Sequence, residues 1–219
     1  DRDDGPHFVK TFMEVDTPED WHNWLQRVMI PVFYDSLSPT AAPSKSGPIG
    51  MNINVGALRV RMLRVKDNSC TVNKDFYLDN YTQRCWADFT LDDMQDTRIP
   101  FPSINTTAQN LTDADYFNYT DGCSYRGQNT QGWYGRYPCG GYLQDFAANI
   151  SFDEALGLAK RLQTENFIDH DAARFIVVEF FTYNPSLDIF TSGRMFHEIT
   201  SGGGWIPTRR FKSFTVWGP

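Results

Sequence analysis

The sequence has no apolar run long enough to cross a membrane. The best candidate, residues 175–178 (FIVV), is followed at once by Glu179, whereas a spanning helix needs about 20 apolar residues. No apolar segment follows the first residues, Asp1-Arg2-Asp3-Asp4, so no signal peptide is predicted. We therefore expect either a mature secreted protein or a soluble segment of a membrane protein.

Positive charge is also scarce. The chain has 20 Lys and Arg against 27 Asp and Glu, which gives a formal net charge of −7. A nucleic-acid-binding surface needs clustered Lys and Arg, so this class of function is disfavoured. An acidic balance is typical of a solvated surface, and it would also attract cations.

Motifs of catalysis are missing. The sequence has no H-E-x-x-H, no G-x-S-x-G and no phosphate-binding glycine loop. The nearest candidates for a hydrolase are a few clustered acids and histidines: Asp169, His170, Asp171, Glu179, His197 and Glu198. A histidine flanked by acids is typical of a surface turn, so we predict no enzyme activity and no cofactor.

Metal and anion sites are equally unsupported. Acidic residues cluster in two stretches whose spacing does not match a calcium-binding EF-hand loop: Asp92, Asp93 and Asp96, then Asp113 and Asp115. No helical pattern follows Gly202-Gly203-Gly204, so this triplet predicts a turn and not an anion site. We predict no metal site.

Cysteines and glycosylation signals are present in informative numbers. The four cysteines, Cys70, Cys85, Cys123 and Cys139, show no C-x-x-C and no zinc spacing. They fit two disulfides, for which three pairings are open. Five N-x-S/T sequons are also found, at Asn80, Asn105, Asn110, Asn118 and Asn149. Both features indicate an oxidising, extracytosolic environment.

Hydrophobic periodicity predicts a helix near each end of a long polar region. The first is expected over residues 17–33, with Thr17 as N-cap and Pro18 at the first helical position. Its predicted buried face is Trp21, Trp24, Leu25, Val28, Met29 and Val32, and Pro31 is expected to kink or end it. The second is expected over 151–167, where Ser151 and Glu154 form a capping box.

Strand signals surround these helices. Alternation over residues 58–62 slips at Leu63, which suggests a bulge. Three strands are expected within 174–217, namely 174–183, 187–198 and 208–217, and short connections favour antiparallel neighbours. Residues 67–148 have little periodicity and contain all four cysteines, so we expect long disulfide-bridged loops. The fold class is α+β in one domain, 1–219, with an antiparallel sheet packed against helices.

One loop segment is rich in aromatic residues spaced by glycine. Residues Trp133, Tyr134, Arg136 and Tyr137 surround Gly135. Exposed rings of this kind could contact a protein partner or stack on a sugar. The same rings could instead attach a polar loop to the core. Both interpretations stay open at this point.

Three blocks of the sequence, in order, resemble the extracytosolic polycystin domain. The first covers residues 55–65 and leads to Cys70; the second covers 137–146. The third covers 173–211 and includes the Gly202-Gly203-Gly204 turn. Together they extend over about 55–217. Residues 86–133 form a longer segment than the family has, and Cys123 and Cys139 have no counterpart there.

The resemblance implies an extracellular lid on a tetrameric, calcium-permeable cation channel, in which the lid serves subunit assembly and gating. Transmembrane helices would flank the domain, and a ciliary, flagellar or plasma membrane would be its location. Its bridged loop would reach the adjacent subunit of a homo- or heterotetramer. The resemblance also pairs Cys70 with Cys85, which leaves Cys123 and Cys139 to each other. The alternative function is a glycan- or matrix-binding module, with extracellular glycoproteins as partners.

Overall fold

The computed structural model describes residues 9–34, 52–70, 85–91, 117, 119–121 and 129–216. The helical elements are α1 (Pro18–Trp24), a π-helical turn (Leu25–Met29), α2 (Ile30–Tyr34) and α3 (Phe152–Thr164). The strands are β1 (Ile53–Asn54), β2 (Leu58–Arg64), β3 (Tyr119–Thr120), β4 (Thr130–Gln131), β5 (Arg136–Tyr137), β6 (Gly141–Phe146), β7 (Ala173–Asn184), β8 (Ile189–Ile199) and β9 (Trp205–Phe214).

An antiparallel sheet forms the centre of the molecule, as the α+β prediction requires. Its strand order is β3-β6-β2-β7-β8-β9, with β1 added to β7, while β4 and β5 form a separate hairpin. The register of β2 on β7 shifts between Leu63 and Arg64, so the predicted bulge is confirmed. The strand β6 lies inside the region 67–148 that the sequence pattern assigned to loops, and it pairs with β2 from Leu58↔Phe146 to Met62↔Tyr142.

The two faces of the sheet are covered by different layers. On one face, which we call the helix face, Ile176 and Val178 belong to the same buried cluster as Ala155, Ala159 and Leu162 of α3. On the other, the loop face, Phe175, Val177 and Phe196 pack with Tyr137 and with the half-buried Phe89. Since β7 is buried on both faces from Ala173 to Val178, its sequence there is continuously apolar apart from Arg174.

The helix starts follow local capping chemistry. The side chain of Thr17 accepts a hydrogen bond from the Asp20 N–H at 3.1 Å, and Pro18 occupies the first turn. At α3, Ser151 and Glu154 form the complete capping box. Both predicted N-termini are therefore confirmed.

The first helical segment buries a different face beyond its midpoint from the one predicted. Val28 and Val32 are 37% and 42% exposed, whereas Ile30 and Phe33 are buried. The helix does not end at Pro31, because the π-helical turn at Leu25–Met29 adds one residue to a turn and the helix continues to Tyr34. An added residue rotates every later side chain, so the buried role passes from Val32 to Phe33.

Candidate functional site: the anchored loops of the loop face

A buried arginine holds the end of the first disulfide-bridged loop. A disulfide joins Cys70 to Cys85, the pairing implied by the family resemblance. Just after it, the Arg174 guanidinium donates to the carbonyl oxygens of Ala87 at 2.8 Å and Trp86 at 3.0 Å. Burial lowers the pKa of Arg174, and nearby acids, Asp88 first, oppose that shift. The guanidinium of an arginine stays charged in proteins, so this loop end is hydrogen-bonded to a permanent buried cation.

A second buried arginine performs the same task beside Cys139. The Nη1 atom of Arg61 donates to the carbonyl oxygens of Pro138 at 2.7 Å and Gly140 at 2.9 Å. Arg61 is only 2% exposed, and burial is the main cause that lowers its pKa. A side chain at Gly141 would come within 2.7 Å of the Arg61 side chain, so glycine is required there. Two arginines on the sheet therefore hold two loops by their backbones.

A buried carboxylate holds the hairpin of β4 and β5. Glu198, fully buried on β8, accepts hydrogen bonds from the backbone N–H groups of Trp133 at 2.7 Å and Tyr134 at 2.8 Å. It also accepts one from the Tyr137 hydroxyl at 3.0 Å. A Cβ atom at Gly132 would lie 2.1 Å from Glu198 Oε1, so the hairpin approaches the carboxylate too closely for any side chain there.

Burial and the neighbouring Glu198 carboxylate together raise the pKa of Tyr137, which keeps its hydroxyl protonated as a donor. Its ring stacks on Phe175 with centroids 4.1 Å apart. Tyr137 is thus a core residue of the loop face. Of the two interpretations of the aromatic segment, attachment to the core describes this residue.

The tip of the same hairpin points the other way. Trp133 is 81% exposed and Tyr134 is 68% exposed. Arg136 is exposed as well. Glu198 holds the backbone N–H groups of Trp133 and Tyr134, whereas most of each ring is exposed. The hairpin therefore presents two large aromatic side chains to solvent on a backbone that hydrogen bonds keep in place.

Glu179 links the charged residues in the middle of the loop face. Its Oε1 forms an ion pair with Arg194 Nε at 2.7 Å, and its Oε2 lies 3.6 Å from Arg61 Nε. Arg59 and Asp145 form a bidentate pair at 2.7 Å across β2 and β6. These charges are compensated by one another.

The candidate hydrolase residues do not form one site. Asp169 accepts from Arg64 of β2 at 2.7 Å and, within its own turn, from the Asp171 N–H at 3.0 Å. His170 is exposed beside Asp171. His197 is buried under Phe12, with its Nε2 3.1 Å from the Phe12 carbonyl oxygen. The described residues give each of these groups a structural contact.

Several predicted residues lie outside the described part of the chain. These are Cys123, the sequons at Asn80, Asn105, Asn110 and Asn118, and the acidic residues Asp92, Asp93, Asp96, Asp113 and Asp115. Cys139 is disulfide-bonded, and its pairing with Cys123 stays a prediction. Asn149 is described and exposed. The described ranges contain no group of three or more His, Cys, Asp or Glu placed to hold a metal ion.

Gly202-Gly203-Gly204 lies in the turn between β8 and β9, as predicted, with Gly203 at φ +82°. In the described ranges, no helix has both the length and the apolar content that a bilayer crossing needs.

Comparison with known proteins identifies the family of this chain. The family model of the polycystin domain matches residues 11–217, nearly the whole chain. The chain belongs to the polycystin domain family. Because the match includes the described strands, the four described helical elements and both anchored loops, the resemblance recognised in the sequence is confirmed.

Individual relatives of this polycystin domain are distant in sequence. Polycystin-2 of Caenorhabditis elegans is 26% identical over 89% of this chain, which covers 25% of that protein. The human polycystin family receptor for egg jelly is 28% identical over 84% of the chain, or 8% of its own length. Human polycystin-2-like protein 1 is 28% identical over 74%, or 18% of its length. The polycystin domain thus spans a quarter or less of each of these relatives.

Of the three buried charges that build the site, Arg61 and Arg174 were not among the predicted residues, and Glu198 was considered only as a hydrolase candidate. Arg61 and Arg174 each stand at a strand position whose two neighbours are apolar, and Glu198 stands between His197 and Ile199 near the end of β8. For the two arginines, that position is the signal that could have revealed them, because an ionised group inside a strand needs a hydrogen-bonded partner. The sequence contained no indication that the partners would be loop backbones.

Proposed function

We propose that this chain is the extracellular or lumenal lid of a tetrameric, non-selective cation channel permeable to calcium, and that the β4–β5 hairpin contacts a neighbouring subunit. The observation that carries the proposal is the exposure of Trp133 and Tyr134 at the end of a hairpin whose backbone Glu198 holds. Membership of the polycystin domain family supports the channel context. Such a lid would lie on the extracellular or lumenal face of a ciliary, flagellar or plasma membrane.

The chemistry of the tip suits a contact between proteins. Aromatic side chains provide large contact areas and lose little rotational freedom on binding, so they dominate the energy of many interfaces. A preorganised backbone lowers the ordering cost further. Arg136, exposed on the same hairpin, adds a cation that can pair with an acidic side chain of a neighbouring subunit.

Such a lid would act on gating only through differences in its contacts. A contact shifts the balance between closed and open states by the difference of its free energy in the two states. The anchors at Arg61, Arg174 and Glu198 matter here, because a loosely held hairpin could not transmit that difference. No catalytic chemistry is needed for this function, and we propose that the domain is not an enzyme.

The test uses the full-length protein that contains this chain, expressed in eukaryotic cells. Replacing Trp133 and Tyr134 by serine removes the proposed contact while the backbone bonds to Glu198 remain. A matched control is Leu187→Ser, because Leu187 is 65% exposed in the turn between β7 and β8, away from the hairpin. Subunit number is measured by single-molecule photobleaching, and cation current by patch clamp.

We expect the double variant to lower the fraction of four-subunit particles or to change the open probability, and the control to do neither. Normal assembly and normal current in the double variant would refute the contact. Particles with one subunit in the unaltered protein would refute the tetramer.

A glycan- or matrix-binding function is the second candidate, and the same two exposed rings favour it. A sugar ring can stack on Trp133 as readily as a protein side chain can. Binding of the unaltered chain to a glycan array that disappears with Trp133→Ala, together with normal assembly of the double variant, would favour this candidate.

A further inference from the structure

The turn from β6 to α3 carries a modification signal in an accessible position. Asn149, Ile150 and Ser151 form an N-x-S sequon. Asn149 is exposed, and its side chain makes no hydrogen bond to another described residue. The turn is closed by the Ile150 N–H, which donates to the Ala147 carbonyl oxygen at 3.3 Å. We propose that Asn149 carries an N-linked oligosaccharide and that the α3 side of the domain faces solvent in the assembled protein.

The chemistry of attachment leaves the fold intact. The amide nitrogen of Asn149 forms a bond to the anomeric carbon of a lipid-linked oligosaccharide pyrophosphate, while the bond from that carbon to the phosphate oxygen breaks. The amide loses one proton, and the lipid pyrophosphate leaves. In the folded chain, the Ser151 hydroxyl accepts from the Glu154 N–H at 3.2 Å and donates to its carboxylate at 3.0 Å. Since the glycan is attached two residues earlier, this cap persists.

The surface next to Asn149 has the composition of a solvated face. The fully exposed positions of α3 are polar or glycine: Asp153, Glu154, Gly157, Lys160, Gln163 and Thr164. The large apolar side chains that the described residues leave exposed all lie on other elements. Interface cores are depleted in such charged residues. The helix therefore offers little that a protein partner would bury.

The position also avoids the hairpin. Helix α3 packs on the helix face of the sheet through Ala155, Ala159 and Leu162, whereas the hairpin packs on the loop face through Tyr137. A glycan at Asn149 thus extends from the layer opposite to Trp133 and Tyr134. The statement about orientation rests on the proposed function, whereas the modification itself does not.

The modification is tested by mass spectrometry on the full-length protein isolated from eukaryotic cells. Trypsin cleaves after Arg136 and after Lys160, and the peptide 137–160 between them contains Asn149 but none of the other four sequons. After reduction and alkylation, release of the glycan by peptide-N-glycosidase F in ¹⁸O-water should convert Asn149 into ¹⁸O-labelled aspartate. An unlabelled, unmodified Asn149 in protein from the cell surface would overturn the proposal.

Two variants separate the glycan from the helix cap. Asn149→Gln removes the acceptor and keeps Ser151. Ser151→Asp destroys the sequon but retains a side chain that caps a helix as well as serine does. Both should shift the protein by the same single step on a denaturing gel, and enzymatic deglycosylation should abolish that difference from the unaltered protein. A variant with an unchanged gel position would contradict occupancy.

Orientation is tested by adding a glycan where the proposed function forbids one. Tyr134→Asn with Arg136→Thr creates a sequon at the hairpin tip, and Tyr134→Gln with Arg136→Thr is its unglycosylated control. We expect the new glycan to reduce four-subunit particles at least fivefold, while the native glycan is tolerated. Assembly that improves several-fold on loss of Asn149 would place α3 in a contact and refute its solvent orientation. Unchanged assembly with the added glycan would refute the hairpin contact and leave the Asn149 modification standing.

Discussion

Acidification should destabilise this polycystin domain through two buried histidines. His22 is 4% exposed and His197 is fully buried. Burial lowers the pKa of each to about 4, although a hydrogen bond with the Phe12 carbonyl oxygen partly offsets the effect at His197. In both rings Nδ1 is buried without a hydrogen-bond partner. A proton added there would place an uncompensated charge among aromatic rings such as Phe12 and Trp21.

The direction of the effect follows from the two pKa values. In the unfolded chain each histidine binds a proton near pH 6.5, whereas in the folded chain it does so near pH 4. The stabilisation is therefore fully present above pH 6.5 and is lost as the pH falls toward 4. At pH 5 each histidine should lower the free energy of unfolding by about 2 kcal/mol, and near pH 4 by about 3 kcal/mol. For a chain of this size, the loss from both at pH 5 corresponds to a fall in Tm of roughly 8–16 °C.

Urea unfolding of the chain at pH 7.5, 6.0 and 5.0, followed by tryptophan fluorescence, measures this slope. His197→Gln should lower stability at pH 7.5 and remove about half of the pH dependence, because glutamine does not titrate. His170→Gln is the matched control, since His170 lies on the surface. A free energy of unfolding that is constant within about 1 kcal/mol between pH 7.5 and 5 would refute the reasoning.

Three further predictions concern the anchors. Glu198→Ala should leave three hairpin donors without their acceptor and lower the free energy of unfolding in urea by about 3 kcal/mol. Hydrogen exchange at the Trp133 and Tyr134 amides should become faster in this variant. Unchanged exchange would exclude the anchoring role. Gly132→Ala should destabilise the hairpin similarly, with Gly157→Ala, which meets no atom within 4 Å, as a control that should not. Cys70→Ser should lower stability by about 3 kcal/mol, as expected for a loop of about 15 residues, and equal unfolding curves under reducing and oxidising conditions would contradict it.

Much of the fold could be predicted from local patterns. Capping at Thr17 and Ser151, the bulge near Leu63 and the antiparallel C-terminal strands each depend on a few neighbouring residues, so the sequence contains the whole signal. The strand β6 was missed because Gly141, Gln144 and Asp145 interrupt its alternation, and its pairing with β2 and β3 is not visible in the local sequence.

The parts that could not be predicted depend on an irregular helical turn and on contacts distant in sequence. The shift of the buried face from Val32 to Phe33 depends on a π-helical turn, which hydrophobic period does not reveal. The separation of the aromatic segment into an exposed Trp133 and a buried Tyr137 depends on Glu198, 61 residues away from Tyr137. No local rule connects those positions.

The two arginine anchors bear on how the sequence of this domain can diverge in evolution. Arg61 and Arg174 bind carbonyl oxygens of Pro138, Gly140, Trp86 and Ala87, which every amino acid possesses. Substitutions at Pro138, Trp86 or Ala87 therefore leave the anchoring atoms in place, whereas a Cβ atom at Gly140 would lie 2.4 Å from the Tyr119 hydroxyl oxygen. The outer loops can vary in sequence and in length while the sheet that binds them stays the same. Related proteins can therefore present different outer surfaces on the same sheet.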